Sequence, residues 1–495
     1  MDPISEVFPR PYQGMNDLDG AHAIAHAGTP DSNAGSAAGA FGADEFSSSY
    51  AFSFASSPAL DFNQNLNSSL QSVMQGPSFA AAVAANGSTA AANAENGSTA
   101  ISTATDGSQS TATAKNHSTS TATADDGSIA TAKSRSSSTA NAQADDQSKA
   151  TAQATDGSKS AASADDSSRA TAVADDQSKA TTTADDGSKA TALADDRSKA
   201  TATADDGSMA YSKAVDDSKA DATATNNSTA SATAIDDSKA SAGADRRSTA
   251  EATAVDDSTA TANAQVDSKA KATAIDDSQA RAVADDRVRQ RPVDSDAEAF
   301  AMRDSKAVSE AYDNSKTKAV ALNHSTAISQ AWHLSEADSY ANNHSKARAV
   351  ADDRVAPRPI DSKASAWANN YSESISMAFN NSTTRARADN HSIANAFGRD
   401  SSFSTAAAYF HSIGRATALD HSRADALADD RRALPIDSKA TAWANHYSKA
   451  TSRAFRNSTT FAKADHRSDS FAEANRGTAF AVADYFSKAF ARSFN

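Results

Sequence analysis

The chain has 495 residues, a formal net charge of −15 at pH 7 and no cysteine, which excludes disulfides and thiolate metal sites. Its hydrophobic share of 39% is mostly alanine and its aromatic share is 6%, so no conventional Leu/Ile/Val/Phe core can run through it. The acidic balance argues against nucleic acid and anionic membrane surfaces as partners, and no apolar run is long enough for a membrane-spanning helix.

Residues 1–80 form an aperiodic leader rich in Gly, Ser, Ala and Pro. It opens MDPISEVFPRPYQGMNDLDG, with no basic segment followed by an apolar one, so no cleavable secretory signal is expected. Leu66, Leu70, Val73 and Met74 fall at the i, i+4, i+7, i+8 spacing of a short amphipathic helix, which Gly76-Pro77 would end. The leader as a whole, residues 1–80, reads as disordered, with this helix forming only transiently.

From 81 to 284 the chain is a decamer array. The unit is Thr-Ala-x-Ala-Asp-Asp-x-Ser-Lys-Ala, and its serine recurs every ten residues from Ser88 to Ser278. A register held this strictly implies that geometry is selected at every unit. Between Ser198 and Gly207 the residues alternate: Ser198, Ala200, Ala202 and Ala204 point one way, Lys199, Thr201 and Thr203 the other. That is the period-two pattern of a strand with a small-residue face and a polar face. Asp205-Asp206-Gly207 then supplies turn chemistry. Alanine favours helices, but a ten-residue repeat does not match 3.6 residues per turn, and the Asp turns recur where a helix needs continuity.

The expected fold class is therefore an all-β repeat, either a decapeptide β-solenoid or a silk-like stacked β-array with an Ala/Ser core. A seven-residue arm spans roughly 23 Å, and three turn residues cannot bring it back over itself. Coils of two decamers are preferred, with strands on two faces and Asp turns at both edges. Alanine methyls contribute little each, so order must come from stacking between coils. Disorder is the competing reading; the unslipped register argues against it.

Three breaks rich in proline and arginine begin at Asp285, Asp352 and Asp429 and stretch the serine spacing to 17, 17 and 16 residues. They suit loops or kinks and divide the remaining chain into blocks 285–351, 352–428 and 429–495, the last ending in a cap. Residues 360–369 and 436–445 are near-copies. Between Ser88 and Ser278 the only aromatic is Tyr211, whereas the later blocks carry many. By parity Trp367, Ile375, Met377, Phe379, Trp443 and Phe455 point away from the Ala/Ser face, as a candidate interface or as a cover within the module.

No HExxH, GxSxG, Walker or EF-hand motif occurs, and no catalytic residue, cofactor or metal ligand is assigned. Six of the eleven histidines, His117, His324, His344, His391, His411 and His421, sit just before the repeat serine and read as surface turn residues. In a two-decamer coil the paired aspartates stack into two acidic ladders. These offer oxygens to calcium, but the Gly-x-Asp turns of calcium solenoids are missing, so solvated acidic spacers are expected.

The Ala/Ser/Thr alternation around Ser-x-Ala and Ala-x-Ala steps resembles bacterial ice-nucleation repeats and the heads of trimeric autotransporter adhesins, whose periods differ from ten. The cysteine-free, acidic composition is similar to that of harpins exported by a type III route. The expected role is a non-enzymatic structural or adhesive protein, secreted or at the cell surface without a cleavable signal, that associates with itself or a surface partner. A type III effector and a disordered, soluble, cytoplasmic stress protectant are the alternatives.

Overall fold

The structure, a computed structural model, describes residues 22–25, 49–56, 69–75, 78–85, 87, 89–285, 296–312, 316–332, 336–352, 363–429, 438–456 and 458–494. The chain is an all-β parallel β-solenoid. It forms two compact units, Met1–Ala161 and Ala162–Asn495, each built to the same plan.

One coil of the second unit shows that plan. The strand Lys199–Ala204 lies in a first sheet, a turn follows, and Met209–Val215 lies in a second sheet facing it. Lys219–Ala224 then returns to the first sheet and pairs with Lys199–Ala204, parallel and in register. Met209–Val215 pairs in the same way with Thr229–Ile235. A coil is thus two decamers. In the first unit Gln109–Lys115 pairs with Ile129–Arg135, and Thr119–Ala124 with Thr139–Ala144.

The inner face is as the alternation implies. Ser198, Ala200, Ala202 and Ala204 are at most 4% exposed, while Lys199 and Thr203 are exposed and Thr201 is half-buried. Among the described residues the largest fully buried side chains are Thr182, Thr384 and Thr460. Side chains no larger than threonine let two sheets approach closely.

Two devices hold the coils in register. The first is a serine ladder. The buried N–H of Ser198 donates to Oγ of Ser218 at 3.0 Å, and Ser218 N–H to Oγ of Ser238 at 3.1 Å. The ladder steps across all three breaks, from Ser278 to Ser305, Ser345 to Ser372 and Ser422 to Ser448, each at 3.2 Å. Each inserted segment therefore lengthens one connection, and the strands on either side of it still stack. The inserts themselves, like the repeat serine Ser88, lie outside the described residues.

The second device is the turn. The two residues before the repeat serine are both left-handed, as at Asp206 (φ 41°) and Gly207 (φ 80°), a conformation that glycine, Asn and Asp adopt at least cost. In these two coils the residue before them goes with a different strand length. Asp205 Oδ1 accepts the N–H of Asp206 at 2.9 Å, which withdraws that donor from the ladder, and the strand ends at Ala204. Where Ile235 replaces the capping aspartate, the N–H of Asp236 instead reaches Val255 O of the next coil at 3.3 Å, and the strand runs to Ile235.

In the leader, the helix expected over Leu66–Met74 is replaced by the strand Ser69–Gln75, paired in parallel with Thr89–Glu95. Pairing in register with Thr89–Glu95 ties down the backbone groups on one side of this stretch, a partner that an isolated helix of two turns lacks. Leu66 and most of the leader expected to be disordered lie outside the described residues.

Candidate functional site

Within the second unit the outward positions change character along the stack. Early coils carry polar columns: Lys179, Lys199, Lys219 and Lys239 follow one another in register on the first sheet. Like charges one layer apart repel, and Asp221 relieves this with ion pairs to Lys199 at 3.3 Å and Lys219 at 3.0 Å. The acidic turns form a parallel column at the edge. Carboxylate oxygens of Asp165, Asp166 and Asp186 lie within 4.8 Å of one another, as do those of Asp185, Asp186 and Asp206. The charge of Asp185, then desolvation and the Asp165, Asp166 and Asp206 charges, hold the Asp186 carboxyl above its ordinary value.

From residue 296 onward, rings and aliphatic side chains take over the outer faces. The six candidate residues are divided between the two sheets. Ile375, Met377 and Phe379 share the first-sheet strand Glu373–Phe379 and are half-buried. Trp443 lies on the same sheet and is 36% exposed. Trp367 and Phe455 belong to the second sheet. The duplication explains the split: the near-copies are an odd number of strands apart, so the strands carrying Trp367 and Trp443 fall on opposite faces.

On the first sheet the three neighbours on Glu373–Phe379 join an apolar field that single-strand reading did not assemble. Val350 and Phe397 flank Met377 in register, and Phe379 and Phe397 meet at 5.9 Å between ring centroids. Further along, Val308 pairs with Ile328, and Tyr312 stacks on Trp332 at 4.5 Å and 7°. Ile393 and Ile413 are adjacent on the other side. The sequence signal that could have found this field is the 20-residue period. It also marks a half-buried apolar column on the second sheet: Val215, Ile235, Val255 and Ile275.

The turn histidines are ordered too. His324, His344, Tyr371, His391 and His411 form one column of rings along an edge, with successive centroids 5.2, 5.3, 4.9 and 4.8 Å apart. Beside it runs an asparagine ladder, in which Asn343 Nδ2 donates to Asn323 Oδ1 at 3.1 Å and Asn390 Nδ2 to Asn369 Oδ1 at 2.9 Å. Stacking across a one-coil step is what makes a ring useful at a turn that otherwise favours small polar residues.

The second sheet carries a cleft of about 490 Å³. Two neighbouring rows line it, Lys318-Asp338-Ser365-Arg385 and Val320-Tyr340-Trp367-Arg387, each residue in register with the next. Tyr340 meets Trp367 edge-to-face at 5.7 Å and 84°, and the Arg387 guanidinium lies 4.7 Å from the indole centroid. Desolvation and the Glu336 charge hold the Asp338 carboxyl above its ordinary value, while a hydrogen bond from Ser365 and the Lys318 charge act the other way.

The sequence matches no protein-family model, and no curated protein or solved structure resembles it significantly.

Proposed function

We propose that the protein is a non-enzymatic structural or adhesive protein that works outside or at the surface of the cell and associates with itself through its later coils. The observation that carries this reading is the change of outward chemistry within the second unit. The first sheet, which presents Lys and Thr on its early coils, presents Ile375, Met377, Phe379 and Trp443 later on. These side chains contribute nothing to the Ala/Ser interior, so the fold does not require them. A field of rings and aliphatics on an acidic, polar chain supports contact with another surface, since aromatic anchors carry a large part of interface energy.

A second copy fits as partner because the early coils, with their acidic turns and net negative charge, favour spacing between molecules, while the apolar field supplies the attraction. The test is the fourfold variant Ile375→Ser, Met377→Ser, Phe379→Ser and Trp443→Ser in the full chain, compared with the parent by sedimentation velocity and far-UV circular dichroism. The β signal is expected to be unchanged and self-association lost. A variant that keeps its β signal and associates as strongly as the parent refutes the reading.

A further inference from the structure

We propose that the second-sheet cleft around Trp367 binds an acidic saccharide, a uronate-bearing oligomer lying along the stack of coils. The geometry points to a linear ligand. The two lining rows each step through four successive strands, so at about 4.8 Å per layer the cleft is about 14 Å long. Ser365 is the small residue in the middle of a row whose other members are Lys318, Asp338 and Arg385, and this local shortening makes a trough where the sheet would otherwise present a ridge.

The chemistry points to a sugar acid. One wall is aromatic: Trp367 leaves 43% of its surface in solvent although Tyr340 and Arg387 pack against it. Flat apolar surface beside a few placed polar groups suits the mixed faces of a pyranose ring. Asp338, exposed and hydrogen-bonded by Ser365, and Ser365 itself line the cleft with polar groups for ring hydroxyls. The charge is local and of the right sign. Arg387 has its own acid in Asp389 at 3.1 Å, but Arg385, exposed one row away, makes no ion pair among the described residues. A guanidinium fork presented this way matches a carboxylate in two parallel hydrogen bonds. On a chain of net charge −15, Lys318, Arg385 and Arg387 around one aromatic trough form a cationic site that neither the Ala/Ser core nor the turns require.

The site lies on the sheet opposite Ile375, Met377, Phe379 and Trp443, so it is tested independently of self-association. Titration calorimetry on the full chain would use an oligogalacturonate, its neutral oligogalactose counterpart and inorganic polyphosphate as probes. The uronate oligomer is expected to bind at least tenfold more tightly than either of the others. Trp367→Ala and Arg385→Gln should each weaken it at least tenfold, with the circular dichroism unchanged, and Trp443→Ala should leave it as it is. Binding of polyphosphate as tight as the uronate would reduce the site to charge alone and overturn the proposal. Absence of uronate binding, or unchanged affinity in Arg385→Gln, would overturn it as well. Loss of saccharide binding with self-association intact separates this site from the first-sheet surface.

Discussion

The serine ladder makes a prediction that distinguishes the two edges of a coil. In Ser238→Ala the backbone is unchanged and one buried hydroxyl is removed. That hydroxyl accepts the N–H of Ser218 at 3.1 Å and donates to the carbonyl of Asp236 at 3.2 Å. The Asp236 carbonyl keeps a partner, since it also accepts the N–H of Asp217 at 3.2 Å. The Ser218 N–H is left inside the stack without its acceptor, which costs about 1–3 kcal/mol. The equivalent change on the other edge is Ser228→Ala. There the Ser208 N–H loses Ser228 Oγ, at 3.1 Å, but retains the turn carbonyl of Asp205, also at 3.1 Å. Its cost should stay below about 1 kcal/mol. Because each coil touches only its neighbours, the loss will be local. Native-state hydrogen exchange of the strands Met209–Val215 to Lys239–Asp245 is therefore the primary assay, with urea denaturation of the full chain as a second. If Ser228→Ala loosens its surroundings as much as Ser238→Ala, the ladder does not hold the coils as argued.

Two further outcomes are expected. Val266 is a β-branched residue at a left-handed turn position (φ 52°), so Val266→Asn should raise stability by about 1 kcal/mol; a lower melting temperature in the variant would contradict the turn assignment. Melting temperature should rise between pH 7 and about 4.5, opposite to ordinary acid denaturation. Asp186 is raised first by the Asp185 charge, and Asp216 first by desolvation and then by the Asp195 and Asp236 charges. A carboxyl raised on folding binds its proton more tightly in the native chain. Its contribution is complete below the ordinary value of 3.8 and is lost as pH rises through the folded value. Asp205, lowered first by the Thr225 hydroxyl, acts in the reverse sense, and thermal melts across this pH range that fall steadily with acidification would show that groups of its kind dominate.

Much of the architecture is local and so could be read from the chain. Alternation in Ser198 to Ala204 needs only the two-residue period of a strand, the Asp-rich triplets need only turn chemistry, and the length of one arm against one turn favours two decamers per coil. The short helix expected over Leu66–Met74 gives way to a strand over Ser69–Gln75 because Leu70 and Met74, four apart, also share one face of a strand, and only the partner Thr89–Glu95 decides between the two.

The composition of each outer face was not legible in the same way. Parity states that Trp367 and Trp443 point outward, but not that an odd number of strands places them on opposite sheets. Nor does one decamer reveal that Tyr340 meets Trp367, that Arg385 follows Ser365, or that His324 and His344 stack. Those neighbours are one coil or more apart in sequence and one layer apart in space. The decamer by itself determined the strand, the turn and the small-residue interior, because each is an interaction within ten residues. The groove, the apolar field and the ring column were decided only by parallel stacking, which sets side by side residues that no local interaction connects.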